Sequence, residues 1–115
     1  LTFVDTNIIE PSFYVKSIKT LNLTNNYLTG FNVFLTAYDL KLDLRYNYLT
    51  EIPRVIIENM YGCDMINFHN NKISLIKNDS FNLFKIFFEL DLSKNLIEKI
   101  EDNSFSNLPV LKYLD

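Results

Sequence analysis

Four asparagines recur along this chain at a nearly constant spacing, and each stands in the same apolar setting. They are separated by 21, 24 and 24 residues and are Asn26, Asn47, Asn71 and Asn95. Two apolar residues precede each asparagine at alternate positions, as Leu42 and Leu44 do before Asn47, and a third follows two residues after it. A fixed period in this range identifies a repeat protein, in which each unit packs against its neighbours.

Each asparagine ends a short alternation of apolar and polar residues, such as Leu90-Asp-Leu92. Alternation over so few residues predicts a short strand with one face buried and one exposed. Because every unit has one strand, stacked units should align these strands into a parallel sheet. The backbone that turns inward after the strand loses water and needs hydrogen-bond partners. An Asn carboxamide offers an acceptor and two donors, so we expect the four asparagines to form a ladder between adjacent turns.

The second half of each unit also repeats. The apolar series Ile73, Ile76, Phe81 and Phe84 recurs 24 residues later as Ile97, Ile100, Phe105 and Leu108. We expect these side chains to point into the core from the opposite, convex side. The polar triplets that end at Ser80 and Ser104 suit the N-cap of a short helical turn. The 21-residue first spacing predicts a shorter convex segment around Phe31 and Phe34.

These positions together follow L-x-x-L-x-L-x-x-N-x-L and then I-x-x-I-x-x-x-x-F-x-x-L, over about residues 18–115. This pattern resembles the 24-residue typical leucine-rich repeat of Toll-like receptors, Slit-type guidance proteins and related ectodomains. The resemblance implies an α/β solenoid. In that fold a curved array carries a parallel β-sheet on its concave face and short helical or irregular segments on its convex side.

We interpret residues 1–115 as one leucine-rich repeat domain cut from a longer protein. It would hold four recognisable repeats, a degenerate earlier frame at Val4–Ile9, and a final frame cut short at Leu111–Asp115. Extracellular members of the family usually carry cysteine-rich caps, which this chain lacks, so either the caps lie beyond the fragment or the protein is intracellular. Because terminal units need polar caps, we expect the isolated fragment to self-associate through its ends or to be only marginally stable.

Composition narrows the classes of partner. A net charge of −3 provides neither the basic footprint of a nucleic-acid-binding protein nor a polybasic membrane patch. No stretch approaches the ~20 apolar residues that a membrane span requires. The two glycines are too few for a glycine-rich phosphate loop. We therefore expect no nucleic acid, no cofactor and no membrane insertion by this segment.

Strand side chains that face away from the core form the surface with which such arrays usually bind. The outward columns are Asn22, Asp43, Asn67, Asp91 and Asp115, then Thr24, Arg45, His69 and Ser93, and finally Thr20, Lys41, Met65, Glu89 and Tyr113. Because Tyr, Met and Arg are favoured at interface centres, we predict a ligand-binding patch of Arg45, Tyr46, Met65, Asn67 and His69. The alternative is that these residues only supply the polarity that an outward face requires.

Catalysis and metal binding find little support. Acidic residues on an open sheet, such as Asp43, Asp91 and Glu89, lack the pocket that shifts a pKa usefully, so we do not expect an enzyme. His69 is the only histidine, and no His or Cys faces outward on an adjacent strand, so we expect no metal site. A ligand contact at His69 that weakens near about pH 6 stays open. Cys63, the only cysteine, is interpreted as a buried, unpaired thiol.

Two glycosylation sequons occur, at Asn22–Thr24 and Asn78–Ser80. So many asparagines produce about this number by chance, and the pair therefore indicates no compartment. Tyr27 and Tyr48 each follow a ladder asparagine, and we expect their rings to stack between units.

The preferred function is recognition of a protein ligand by an extracellular or cell-surface array, in a receptor or a secreted immune or adhesion protein. The identity of the ligand stays open. One alternative is an intracellular scaffold or regulatory adaptor in the cytoplasm, which the lone cysteine and the missing caps favour. Another is the targeting domain of an enzyme, such as a kinase or ligase, encoded outside this segment.

Overall fold

Short parallel strands make up the regular structure of the chain. A computed structural model describes residue 2 and residues 12–16, 19–30, 32–36, 40–53, 63–81, 87–106, 108 and 113–114. The strands in these residues are β1 (Ser12–Lys16), β2 (Thr20–Asn22), β3 (Asn32–Thr36), β4 (Leu40–Asp43), β5 (Cys63–Asn67), β6 (Leu75–Ile76), β7 (Phe87–Asp91), β8 (Lys99–Ile100) and β9 (Tyr113–Leu114).

Five strands form the main sheet, in the order β2-β4-β5-β7-β9. All pairs are parallel, and Lys41 pairs with its equivalents Thr20 on one side and Met65 on the other. The register between β4 and β5 shifts just before Lys41, where Leu40 pairs with Cys63. This arrangement confirms the predicted parallel sheet with one strand per repeat. A parallel bridge from Thr2 to Asn22 continues the pairing beyond β2. The predicted earlier frame at Val4–Ile9 lies outside the described residues.

The segments that return from one main strand to the next differ from expectation. They were predicted to be helical or irregular, whereas two further parallel pairs, β1–β3 and β6–β8, arise from them. Among the residues described, none is helical. An extended chain advances ~3.3 Å per residue and a helix only ~1.5 Å. The extended strand β3 therefore covers its part of the shorter first return path with fewer residues than a helix would need.

The polar triplets predicted to cap helices form turns instead. The Ser80 Oγ accepts a hydrogen bond from the backbone N–H of Lys77, which precedes it, at 3.0 Å. The Ser104 Oγ lies 2.6 Å from the carbonyl of Glu101 and 3.3 Å from the carbonyl of Ile76, to which it can donate. Since Ile76 belongs to the preceding repeat, buried Ser104 links two repeats.

One apolar core runs through the described repeats. Leu42, Leu44, Ile66 and Phe68 are buried from the main sheet, as are their equivalents in the neighbouring repeats. Burying a side chain of this size contributes about 1.5–3 kcal/mol. The segments that return between main strands also contribute buried apolar side chains, which are Leu28, Leu49, Ile73, Ile76 and Phe81. Because these side chains belong to successive repeats, no repeat buries its apolar face alone.

The prediction that Ile100 points into the core is wrong. Ile76, its equivalent one repeat earlier, is fully buried, whereas Ile100 is 53% exposed. Strand β8 pairs with β6 on one side, and no described strand pairs with it on the other. Among the described residues, no neighbouring strand therefore covers Ile100 as β8 covers Ile76. The predicted core residue Phe84 and Phe31, which was expected to lie in a shorter convex segment, are outside the described residues.

A ladder of asparagine side chains joins the turns that follow the main strands. Asn47 donates through Nδ2 to a carbonyl of its own turn at 3.1 Å and to the Leu23 carbonyl of the preceding repeat at 2.9 Å. Its Oδ1 accepts from the N–H of Leu28 at 3.0 Å. Equivalent bonds recur at Asn71 and Asn95. Each of these three amides therefore satisfies buried backbone groups in two repeats.

The residue before each ladder asparagine has a left-handed backbone. The φ angle is 56° at Asn25, Tyr46 and Asn70, and 51° at Lys94. Asparagine tolerates this conformation because its short side chain bonds locally, whereas other residues that carry a Cβ are strained in it. Two of the four turns therefore have a well-suited residue, and the turns at Tyr46 and Lys94 have a strained one.

Replacing Asn71 by alanine should destabilise the chain by about 1–3 kcal/mol, because the change leaves buried backbone groups of two repeats without partners. Urea unfolding measures the difference. Asn78→Ala is the matched control, since Asn78 is exposed and its carboxamide makes no hydrogen bond to the described residues. Equal stability of the two variants would contradict a structural role for the ladder.

Lys94→Asn should stabilise the chain by about 0.5–1 kcal/mol, because asparagine relieves the left-handed strain at an exposed position. The control is Lys72→Asn, which makes the same change at an exposed lysine with ordinary backbone angles. Thermal melts should show a higher midpoint for the first variant alone. A gain of the same size in the control would mean that charge, rather than backbone strain, is responsible.

Candidate functional site

The outward face of the main sheet presents side chains in aligned rows. Strand pairing places Thr20, Lys41, Met65, Glu89 and Tyr113 in one row, and Asn22, Asp43, Asn67 and Asp91 in the next. These rows agree with the predicted columns as far as the described residues extend, which excludes Asp115. Lys41 and Glu89 are exposed, and Met65 lies partly buried between their strands. The row therefore has an apolar centre with a charge of opposite sign on each side.

The polar residue that ends each main strand closes its own turn. The side-chain oxygens of Asn22, Asp43, Asn67 and Asp91 accept the N–H two residues later at 3.0, 3.2, 2.9 and 2.9 Å. This is the Asx-turn, in which the side chain mimics a backbone turn. Sequence reasoning missed this role, although an Asn or Asp at the same slot of every repeat was a visible signal. One consequence is that the Asn67 oxygen already has a structural partner.

Arg45 is paired with the aspartate two residues before it. Its Nε lies 2.9 Å from one carboxylate oxygen of Asp43, and its Nη2 lies 2.7 Å from the other. Burial alone would raise the pKa of Asp43, but hydrogen bonds from the side chain and backbone of Arg45 outweigh burial and lower it. The carboxylate in turn raises the pKa of Arg45. Arg45 therefore presents a held ion pair to solvent rather than a lone cation.

A second network links His69 to the neighbouring repeat. Its Nδ1 lies 2.6 Å from the hydroxyl of Ser93, and that hydroxyl donates to the carboxylate of Asp91. Because the hydroxyl proton points to Asp91, the Ser93 oxygen accepts a hydrogen bond from the N–H at His69 Nδ1. A nucleophilic serine requires the opposite direction, in which the base accepts the hydroxyl proton. The arrangement therefore holds the imidazole in place and does not activate Ser93.

Four of the five predicted contact residues form one connected run. Met65 and Asn67 lie two residues apart on β5, and Asn67 bonds the backbone of His69. The ring of Tyr46 meets the ring of His69 edge to face, with centroids 5.6 Å apart. Arg45 instead pairs with its neighbouring aspartate. Tyr46 itself lies in the turn beyond β4, at the border of the outward face.

Beyond this border lies an open cleft of about 450 Å³, here called the turn-edge cleft. Its lining consists of four asparagines, three tyrosines and Lys72. Tyr27 and Tyr48 stack with centroids 5.8 Å apart and planes 4° from parallel, which confirms the predicted contact between repeats. Together with Tyr46, they are 43–50% exposed. The turn edge therefore combines exposed aromatic rings with amide side chains.

Other predictions concern metals, membranes and the cysteine. No three His, Cys, Asp or Glu side chains among the described residues could together hold a metal ion. The same part of the chain contains no helix with the length and apolar character needed to span a bilayer. The predicted burial of the Cys63 side chain lies outside what the structure describes.

Most of this chain is similar to one segment of a mouse protein. Leucine-rich repeats and immunoglobulin-like domains protein 2 of Mus musculus is 34% identical over 99 residues, which are 85% of this chain and 9% of that protein. The chain belongs to the leucine-rich repeat family. Membership implies a solenoid-like fold, in agreement with a parallel sheet that takes one strand from each repeat.

Two other leucine-rich repeat relatives match a similar share of the chain. The human protein of the same name is 31% identical over 96 residues, 83% of this chain and 9% of that protein. Leucine-rich repeat-containing G-protein coupled receptor 5 of Rattus norvegicus is 28% identical over 97 residues, 84% of this chain and 11% of that protein. The chain thus spans about a tenth of the length of these curated relatives. No protein-family model matches it, and no solved structure does.

Replacing Asp43 by asparagine keeps the oxygen of the Asx-turn and removes the charge that faces Arg45. Because the fold lowers the pKa of Asp43 from its ordinary value of 3.8, the ionised carboxylate stabilises the folded chain at pH values above 3.8. That stabilisation is lost as the pH falls through the lower, folded-state pKa. With the guanidinium partly exposed, the variant should be less stable by only about 0.5 kcal/mol at neutral pH.

Urea unfolding at a series of pH values tests this expectation, and the difference between Asp43→Asn and the parent should vanish in acid. Asp91→Asn is the control, because Asp91 occupies the same slot but faces the hydroxyl of Ser93 instead of a guanidinium. A difference for Asp43→Asn that stays constant across the pH series would refute the role of the Arg45 pair.

Proposed function

We propose that this leucine-rich repeat segment is a protein-binding module of a receptor ectodomain or a secreted recognition protein. The names of the relatives support this proposal: one is a G-protein coupled receptor, and two combine leucine-rich repeats with immunoglobulin-like domains. On this proposal the segment works outside the cell or at its surface, and its partner is a protein. The binding surface is the outward face of the main sheet, the concave face of the array.

The observation that carries the proposal is the connected run of Met65, Asn67, His69 and Tyr46. Hydrogen bonds and a ring contact already hold three of these residues. Side chains held before binding lose less conformational entropy when a partner arrives. Met and Tyr also supply the adaptable and aromatic contact area that interface centres favour. The run therefore combines contact area with prior order.

The charged side chains on this face are few and of both signs, so they favour a partner with a matching arrangement of charges over any partner of one net charge. Lys41 and Glu89 lie on the strands on either side of Met65, and the Arg45–Asp43 pair is close to neutral as a unit. Complementary charges at a rim steer a partner and set its register more than they raise affinity. A partner with an apolar centre, an acidic group for Lys41 and a basic group for Glu89 would match this face.

The geometry favours binding over catalysis. In the His69–Ser93–Asp91 network, the Ser93 hydroxyl donates its hydrogen bond to the Asp91 carboxylate and not to His69. Ser93 is therefore not activated as a nucleophile. The carboxylate of Asp43 is neutralised by Arg45 and has its pKa lowered, although a general acid near neutral pH needs a raised pKa. Both networks instead make the surface more rigid.

A matched pair of charge reversals tests the proposed surface. Lys41→Glu alters the outward face of the main sheet, and Lys99→Glu makes the same change in the separate β6–β8 pair; both lysines are exposed. The parent protein is displayed on cells and screened against a panel of secreted and cell-surface proteins. For a partner so identified, we expect Lys41→Glu to weaken binding about tenfold, equivalent to ~1.4 kcal/mol.

Lys99→Glu should leave that affinity unchanged. The proposal fails if both reversals weaken binding equally, or if no protein of the panel binds the displayed array. Thermal melts of both variants check that a loss of affinity does not come from unfolding.

A further inference from the structure

We propose that the turn-edge cleft is a second binding site and that it takes a short acidic oligosaccharide. The cleft lies beside the proposed protein-binding face and shares with it only Tyr46. Its volume of about 450 Å³ falls within the ~300–1,000 Å³ of small-molecule sites. Three properties of its lining point to this ligand: the hydrogen-bonding groups, the aromatic rings and the single charge.

Every side chain that lines the cleft can form hydrogen bonds, and none is aliphatic. The ladder residues Asn26 and Asn47 use their amides to hold the turns. Asn25 and Asn70 are exposed, and their carboxamides make no hydrogen bond to the described residues. Each amide offers a donor and an acceptor, as does each sugar hydroxyl. A polyhydroxylated ligand therefore matches these groups one for one.

The tyrosines supply the surface that packs against a sugar ring. Carbon-bound hydrogens on one face of a sugar carry partial positive charge, and the face of an aromatic ring is negative. Tyr27 and Tyr48 already stack on each other, so their rings are ordered before any ligand binds. Prior order reduces the entropy that binding costs. Each ring uses one face in the stack, and both side chains are about half exposed where they line the cleft.

Charge selects an acidic sugar and limits its length. Lys72 is the one charged residue in the lining, and it is exposed. Its ammonium group matches one carboxylate or sulfate on the ligand. Because the chain carries a net charge of −3, a long polyanion would be repelled beyond this contact. A short oligosaccharide with one or two acidic groups fits both facts.

A protein loop fits the cleft less well. Hot spots in protein interfaces bury an apolar or aromatic anchor in a pocket that excludes water. The turn-edge cleft is open, and amides supply half of the residues in its lining. Such a site rewards many weak, water-exposed hydrogen bonds rather than one buried anchor.

The test uses three tetrasaccharides: one with uronate carboxylates, its carboxyl-reduced neutral counterpart, and a sulfated one. Binding to the folded chain is followed by shifts of the tyrosine and asparagine side-chain signals in NMR spectra. We expect an acidic tetrasaccharide to bind with a Kd on the order of 1 mM. Comparison of the uronate and sulfated probes identifies the acidic group. Absence of shifts with all three probes overturns the proposal.

Lys72→Gln should weaken binding of the acidic probe about two- to fivefold, as expected for one exposed ion pair, and leave the neutral probe unaffected. Lys99→Gln removes the same charge from an exposed position in the separate β6–β8 pair and should change the affinity for neither probe. Equal effects of the two variants would overturn the assignment of Lys72.

Tyr48→Ser removes one ring of the stack and should weaken binding of all three probes about tenfold, whereas Tyr48→Phe keeps the ring and should retain most of the affinity. Full affinity in Tyr48→Ser, or an equal loss in Tyr48→Phe, contradicts the role of the stack. The proposed protein-binding face is tested by Lys41→Glu, so the two proposals can fail independently.

Discussion

The structure depends on one constraint: the backbone that turns inward after each main strand must find hydrogen-bond partners where water cannot reach. A single carboxamide meets this need in two repeats at once, as Asn47 does with Leu44 of its own repeat and Leu23 of the preceding one. Because each amide reaches one repeat back, the turns must lie directly above one another. The strands that precede them are then held in register, and the apolar side chains between them form one continuous core.

Much of the fold could be predicted because it follows from spacing alone. Nearly equal distances between asparagines imply stacked turns, a parallel sheet and the outward columns, and adjacent repeats bring Tyr27 onto Tyr48. Features that depend on side-chain direction could not be read from spacing. The bond from Ser104 to the preceding repeat and the His69–Ser93 contact belong to this group. Exposure of Ile100 also escaped prediction, because burial depends on the next repeat and not on the residue itself.

The two candidate surfaces differ in how their polar groups are engaged. On the outward face, Arg45 and His69 already bond to neighbours, so the surface is ordered and offers a fixed pattern of charge and shape. Along the turn edge, Asn25, Asn70 and Lys72 make no side-chain bond to the described residues, while the stacked rings beside them are ordered. The first arrangement suits recognition of a folded partner. The second suits a ligand that brings its own hydrogen-bonding groups.

Strand pairing between equivalent residues also determines where this chain can change in length. An inserted residue within a main strand that no bulge absorbs would shift the later side chains of that strand to the opposite face of the sheet. A return path tolerates such changes, because strand β3 crosses in an extended form and shortens its repeat without disturbing Thr20 beside Lys41. Evolution can therefore lengthen or trim the loops between strands, or duplicate whole repeats, while the recognition surface keeps its alignment.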